Sequence, residues 1–177
     1  SEEAESETEI AARHAAMIAS LNTALEGVAS ARSSEGLRLK GVLEAQVVEI
    51  ARLVDLIEAS PARTPAAIQR RLCEQIARLV ETGQGLDPGR LHQEAVLIAT
   101  RADVEEELKR LRGHVEAVRE ILSAPGAIGR KLDFLAQEFN REANTLTSKA
   151  ADSEIARMGL TLKSVIDQMR EQVQNIE

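Results

Sequence analysis

Residues 128–149 decide the fold, and they read IGRKLDFLAQEFNREANTLTSK. Apolar residues recur in this stretch every three or four positions, which places them on one face of an α-helix. That face consists of Ile128, Leu132, Leu135, Phe139, Ala143 and Leu146. The stretch therefore predicts an amphipathic helix whose apolar face packs against neighbouring helices.

The same spacing predicts four further helices around this one. They cover residues 10–57, 65 to about 83, about 88 to 123, and 153–176. The first could be interrupted near Ser33–Gly36, the second starts at a Thr64-Pro65 cap, and Asp152 or Ser153 caps the last. Because all five segments are helical and the loops between them are short, the sequence predicts an all-α, elongated antiparallel bundle of coiled-coil-like helices.

The chain divides by pattern into three regions. Residues 1–9 form an acidic lead-in that we expect to be disordered. Residues 10–124 form a long helical hairpin region, and residues 125–177 form a C-terminal helical region. The lead-in holds five glutamates, which leaves only −2 of the net charge of −7 for the rest of the chain.

Composition excludes several classes of function. The chain has no Trp or Tyr and only two Phe, so the aromatic platform that many single-strand binders use is absent. The balanced charge beyond residue 9 excludes a strongly basic nucleic-acid footprint. No apolar run is long enough to span a bilayer, and a single cysteine permits no internal disulfide. We therefore expect a soluble cytoplasmic protein.

The polar face of residues 128–149 is unusual for a solvated helix. It carries Arg130, Asp133, Gln137, Asn140, Arg141, Asn144 and Ser148. Asn and Ser are poor helix formers, so solubility alone does not require them there. One interpretation is a hydrogen-bonding surface for phosphates, base edges or another subunit. The other is a polar surface with a few i,i+4 hydrogen bonds.

Acidic residues and a histidine form two further patterns. Glu138 and Glu142 are four residues apart, a spacing at which two carboxylates can hold a divalent cation or be neutralised by nearby lysines and arginines. In the third predicted helix, Asp103, Glu107, Arg110 and His114 form one row beside the apolar seam. That row suits acid–base chemistry, a metal or a phosphate, and it equally suits a salt-bridge ladder between helices.

Three stretches resemble one protein family. Residues 93–111 read QEAVLIATRADVEEELKRL and are followed by His114, residues 129–149 carry LDFLAQEFNREANTLTSK, and residues 168–177 read QMREQVQNIE. These strings resemble the YicC/YloC family of bacterial proteins. The resemblance implies a stress-associated endoribonuclease that depends on a metal, manganese first and magnesium second, and assembles as a homo-oligomer, a hexamer. Family members carry a further N-terminal domain, so it also implies that this chain is part of a longer protein.

Ligand chemistry then selects candidates among the positions that match the family strings. Mn²⁺ favours carboxylate oxygens and accepts imidazole, so His114, Asp133, Glu138 and Glu142 are the candidate metal ligands. The candidate catalytic residues are His114, Glu138, Arg141 and Glu142. Candidates for binding RNA are Arg110, Arg130, Gln137, Asn140, Asn144 and Lys149. Attack on the phosphodiester by water and attack by the 2′-hydroxyl both remain open.

A second hypothesis needs no catalysis by this chain. The helices would form an oligomerisation or RNA-interaction module, and the polar stripe would lie between subunits. RNA binding and the oligomeric state together distinguish this hypothesis from the nuclease.

Overall fold

A computed structural model of the chain describes residues 6–81, 89 and 103–176 and is built from helices. They are α1 (Glu7–Glu58), a short 3-10 helix (Pro61–Arg63), α2 (Pro65–Glu81), α3 (Glu105–Ser123), α4 (Gly129–Lys149) and α5 (Ser153–Val173). The described residues contain no strand, so the predicted all-α class is confirmed. Within the same ranges, no helix combines the length and apolarity needed to cross a membrane.

Helix α1 is continuous over 52 residues. The interruption predicted near Ser33–Gly36 is wrong, because the helix passes through these residues unbroken. A glycine costs an exposed helix only about 1 kcal/mol relative to alanine, and no proline removes a backbone donor there. Arg38 hydrogen-bonds Glu35 one turn away, which adds a local ion pair at the same place.

The chain forms two units, Ser1–Gly41 and Val42–Glu177. In the first unit, large apolar side chains of α1 are exposed to solvent. They are Met17, Ile18, Leu21, Leu25, Val28 and Leu37, each more than half exposed. The residues from Met17 to Val28 lie close to one face of the helix and form a row that nothing in the described part of this unit covers, whereas Leu37 lies on another face.

In the second unit, the end of α1 packs into one core with α3, α4 and α5. The core side of α1 carries Leu43, Val47, Ile50, Val54 and Ile57, at strict heptad spacing. Every residue of the predicted apolar face of α4 from Leu132 to Leu146 is buried, and Phe139 is fully enclosed. Helix α4 lies between α3 and α5 and contacts both.

Two predicted helix starts have the predicted capping chemistry. Thr64 accepts a hydrogen bond from the Ala67 amide and Pro65 opens α2, as predicted. Asp152 accepts hydrogen bonds from the amides of Glu154 and Ile155 and caps α5. The end predicted for the second helix, near residue 83, lies outside the described residues.

The third helix, predicted from about residue 88 to 123, is not one continuous helix, and its predicted start lies outside the described residues. Helix α3 begins at Glu105, and Asp103 and Val104 are not helical. The carboxylate of Asp103 accepts a hydrogen bond from the Glu105 amide at 2.9 Å, so it competes with continuation of the helix. Residues 90–102 lie outside the described part.

Helices α4 and α5 approach each other closely at Gly159. A Cβ atom at this position would lie 2.7 Å from Thr147 Oγ1 and 3.3 Å from Leu146 Cδ2. Only glycine permits this separation of the two backbones without a shift of Thr147, whose hydroxyl also donates a hydrogen bond to the Ala143 carbonyl. The contact fixes how α5 lies along α4.

Candidate functional site

The candidate site lies where the edge of α4 faces α3. Helices α3 and α4 run antiparallel, so positions late in α4 lie beside positions early in α3. We call the side chains that meet there the α3 edge. They are Glu107, Arg110 and His114 from α3, and Glu138, Glu142 and Lys149 from α4. Each flanks the apolar seam of its own helix, which places charged groups at the border of the core.

Two buried carboxylates are each held by a cation from the facing helix. Lys149 Nζ lies 2.8 Å from Glu107 Oε1, and Arg110 Nη1 lies 3.2 Å from Glu142 Oε1. Glu107 is 4% exposed and Glu142 is 3% exposed. A buried carboxylate is costly unless it is paired, so these two contacts keep both acids compatible with the core.

Arg110 hydrogen-bonds to one buried and one exposed glutamate. Its guanidinium donates hydrogen bonds to Glu142 and also to Glu106, one helical turn away. The bond to Glu142, followed by the bond to Glu106, raises the pKa of Arg110 above its ordinary value. The salt-bridge ladder considered for this row is therefore present at Glu107 and Arg110.

His114 does not take part in that ladder. It offers a ring nitrogen within 4.8 Å of carboxylate oxygens of Glu138 and Glu142, and the three form a group able to hold a metal ion. Its ring packs edge-to-face against Phe139, with ring centroids 5.5 Å apart. The packing fixes the imidazole beside the two carboxylates, one of which is buried.

Two polar atoms at this edge are buried without a hydrogen-bond partner in the described part of the chain. They are His114 Nε2 and Glu107 Oε2. Such an atom costs about 1–3 kcal/mol, and native proteins leave few of them. A ring nitrogen of His114 lies within 4.8 Å of carboxylate oxygens of Glu138 and Glu142, an arrangement that a bound cation would satisfy.

Asp133, the fourth candidate metal ligand, is not part of this group. It lies nine residues before Glu142, which is about 180° around an α-helix. Its carboxylate instead accepts a hydrogen bond from Gln137 Nε2 at 2.8 Å. One ion cannot reach both sides of the helix, so the grouping of Asp133 with the other three is corrected.

The amide side chains predicted to bind RNA lie on the opposite edge of α4, which faces α5. Asn144 donates to Asn140 at 2.7 Å, and Asn140 donates to Asp167 of α5 at 2.7 Å. Together with Asp133 and Gln137 they form what we call the amide edge. Asn140 lies about 160° around the helix from Glu138, so the structure does not bring the amide edge to His114. The i,i+4 hydrogen bonds proposed as the alternative are present.

The cations predicted to bind RNA, together with the candidate catalytic residue Arg141, divide into two kinds. Arg110 and Lys149 hold the buried carboxylates Glu142 and Glu107. Arg130 and Arg141 have no ion pair among the described residues. Arg141 lies one turn and about 60° from Glu138, so it is near the three-residue group and free to meet a phosphate.

One residue near this edge was missed by sequence reasoning. Phe134 is 61% exposed, although phenylalanine is usually buried. The signal was available, because Phe134 lies about 100° away from Leu135 and falls outside the apolar face of α4.

Comparison with known proteins gives the family. Residues 57–177 match the family model described as endoribonuclease YicC-like, C-terminal. The chain is 42% identical over 146 residues to a protein of Haemophilus influenzae named probable endoribonuclease YicC. It is 32% identical over 146 residues to a protein of the same name from Clostridioides difficile.

The match covers 82% of this chain in each case and 50% of each relative, so the chain spans about half the length of the curated relatives it matches. The family model covers the end of α1 and all the helices that build the α3 edge and the amide edge. The chain therefore belongs to the YicC-like endoribonuclease family.

Proposed function

We propose that the chain cleaves RNA phosphodiester bonds with the help of a divalent cation held by His114, Glu138 and Glu142. The observation that carries this proposal is the convergence of ligand atoms of the three side chains within 4.8 Å, with His114 Nε2 buried and without a hydrogen-bond partner in the described part of the chain. The names of the relatives support RNA as the substrate.

The donor set fits the proposed metal. Two carboxylates and one imidazole form a mixed oxygen–nitrogen site, which suits Mn²⁺ better than Mg²⁺, because Mg²⁺ prefers oxygen ligands and retains its waters. A bound cation at this place would polarise the phosphodiester and stabilise the negative charge that develops on it.

The chain's own residues have distinct parts in this proposal. Arg110 holds Glu142 at the site through its hydrogen bond, and Phe139 fixes the ring of His114. Arg141, which has no ion pair in the described ranges, would bind a phosphate oxygen and stabilise the transition state. Glu138 is half-buried and next to the cation site, so it can also accept a proton from the attacking oxygen.

The experiment uses labelled single-stranded RNA with and without Mn²⁺. We expect cleavage only with the metal, and we expect His114→Ala and Glu138→Gln each to reduce the rate about 100-fold or more. Asp133→Asn is the matched control on the amide edge, and its rate should remain within about twofold of the wild type. The proposed site is wrong if both site variants cleave as fast as the wild-type chain.

Two further measurements separate the metal from the chemistry. The electron paramagnetic resonance signal of free Mn²⁺ should fall when wild-type protein is added and should persist with His114→Ala. The ends of the RNA products distinguish the two mechanisms left open above. A 5′-phosphate indicates attack by water, whereas a 2′,3′-cyclic phosphate indicates attack by the 2′-hydroxyl.

We also propose that the chain assembles as a homo-oligomer, with a hexamer as the expected size. The apolar row of α1 supports this, because Ile18, Leu21, Leu25 and Val28 are each more than half exposed at helical spacing. Light scattering on a Leu21→Glu, Leu25→Glu double variant should show a smaller mass than the wild type. Leu160→Glu, at an equally exposed apolar position of α5, should leave the mass unchanged.

An interaction module without activity of its own is the second candidate function. The observation that favours it is the chain's coverage of only half of each relative. It predicts RNA binding or self-association without cleavage in the assay above.

A further inference from the structure

Phe134 lies at an open depression between α3 and α4. The depression has a volume of about 400 Å³ and is lined by Ala117, Ile121, Arg130, Lys131, Phe134 and Leu135. Its surface is almost entirely apolar, so Arg130 and Lys131 contribute mainly their aliphatic stems. Phe134 is 61% exposed, whereas Phe139 is fully buried.

The charged residues that line the depression are both cationic. Arg130 and Lys131 have no ion pair among the described residues, and no acidic residue lines the depression. An apolar floor with an aromatic ring and cationic ends of side chains suits a flat, apolar group that carries negative charge beside it. A nucleobase with its flanking phosphates has this character.

The position relative to the three-residue group also fits a nucleic acid strand. Phe134 is one helical turn before Glu138 and two turns before Glu142 on the same helix, which is about 6 Å and about 12 Å along its axis. The angular offset between Phe134 and Glu138 is only about 40°, so both face the same edge of α4. A strand that lies along this edge would pass from the ring to the carboxylates within about one nucleotide.

We propose that Phe134 is a stacking platform for one unpaired base of a single-stranded RNA, with Arg130 and Lys131 contacting the phosphates beside it. The proposal rests on the proposed function, because it assigns a subsite of the same substrate. The two cationic side chains beside the ring, Arg130 and Lys131, favour an anionic strand with an unpaired base over a second protein chain. A scarcity of aromatic residues excludes a platform for many bases but allows a platform for one.

Fluorescence can test the stacking directly, because the chain contains no Trp. Phe134→Trp places a single reporter in the depression, and Leu160→Trp places one at an equally exposed site on α5. We expect an oligoadenylate of eight nucleotides, added without metal ion, to quench the tryptophan fluorescence of Phe134→Trp. An abasic oligomer of the same length should quench it much less, and Leu160→Trp should respond to neither.

Affinity measurements test whether the aromatic ring matters for binding. Phe134→Leu should weaken binding of the oligoadenylate about fivefold to 100-fold, the range known for loss of one stacked base, and Phe134→Trp should retain the wild-type affinity. Leu160→Ala is the matched control and should bind like the wild type. Arg130→Ala should lower the dependence of binding on salt concentration, as expected when a phosphate contact is lost.

The outcomes separate this proposal from the proposed function. If the wild-type chain cleaves RNA and Phe134→Leu has the wild-type Kd and KM, the stacking platform is wrong and the nuclease stands. If the chain binds RNA with quenching at Phe134→Trp and does not cleave, the nuclease is wrong and the platform stands. If Phe134→Leu lowers the oligomeric mass without changing RNA affinity, the depression holds a second copy and the proposal is overturned.

Discussion

The two edges of α4 differ in how their polar groups are satisfied. At the α3 edge, Glu107 and Glu142 are buried acids, and His114 Nε2 and Glu107 Oε2 are buried without a hydrogen-bond partner among the residues that the structure describes. At the amide edge, Asn140 and Asn144 are hydrogen-bonded within the helix and to Asp167. Exposed amides can hydrogen-bond to water when they lack a protein partner, whereas the buried atoms of the α3 edge cannot.

The difference shows which edge is built for packing and which for chemistry. The amide edge borders the close contact of Gly159 with Thr147, and its hydrogen bonds connect α4 to α5. The α3 edge keeps costly buried charge and an orphaned imidazole nitrogen, which stability alone does not require. Variants that remove one edge at a time should therefore separate activity from stability.

The largest effect is expected for Glu142→Leu. Its rate of RNA cleavage should fall about 100-fold or more, because a candidate metal ligand is lost. Its free energy of unfolding should remain within about 1 kcal/mol of the wild type or increase, since an apolar residue replaces a buried acid and Arg110 can turn to water. Paired cleavage assays and urea unfolding measure both quantities.

Glu106→Gln is the control for this variant, because Glu106 also bonds Arg110 but is exposed. It should cleave at close to the wild-type rate. Loss of activity in both variants would assign the effect to Arg110 rather than to the three-residue group.

The next effect is a loss of stability in Lys149→Met. This change leaves Glu107 buried without its cation and should lower the free energy of unfolding by about 1–3 kcal/mol, less than for a fully buried pair because Lys149 is partly exposed. Urea unfolding at constant m-value measures it. Lys109→Met, at an exposed lysine of α3, should change stability by less than about 0.5 kcal/mol.

A second change sharpens the same test. Glu107→Gln added to Lys149→Met removes the unpaired charge and should restore part of the lost stability. If the double variant is less stable than Lys149→Met, the ion pair is not the cause of the loss.

In α5, where it packs beside the amide edge of α4, Gly159→Ala should destabilise the protein by about 1–2 kcal/mol. The new methyl group would lie 2.7 Å from Thr147 Oγ1, and the cost of separating the helices exceeds the gain in helix propensity. Gly113→Ala meets no atom within 4 Å and should instead stabilise by up to about 1 kcal/mol. Thermal unfolding of the two variants gives opposite shifts if the close contact is as described.

The smallest effect is expected at the amide edge itself. A double-mutant cycle with Asn140→Ala and Asp167→Ala should give a coupling free energy below about 1 kcal/mol, because the hydrogen bond is exposed. Cleavage by Asn140→Ala should remain within about twofold of the wild type. A large loss of cleavage would restore Asn140 to the substrate-binding surface and contradict the assignment of the two edges.

Much of the fold was predictable from the sequence. Apolar spacing gave the helices, and Thr64-Pro65 and Asp152 marked two helix starts correctly. The start of α3 was not predictable from spacing, because the capping carboxylate of Asp103 outweighs the apolar pattern that continues across it. The interruption expected at Ser33–Gly36 does not occur, because glycine weakens a helix without breaking it.

For the candidate site, the sequence could name candidate residues but not show which of them lie together. Carboxylate and imidazole chemistry selected His114, Glu138 and Glu142, which the structure brings close together, and it also selected Asp133, which lies elsewhere. Phe134 was missed because a single exposed aromatic carries little weight in the overall composition.

The sequence by itself determined the helices, their apolar faces and the family, since each depends on local spacing or on a contiguous string of residues. The tertiary structure alone decided which edge of α4 meets α3. Helical periodicity gives the angle of a side chain about its own axis, but it does not give the register of one helix against another. That register brings His114 beside Glu142 and leaves Asn140 and Asp133 on the far side.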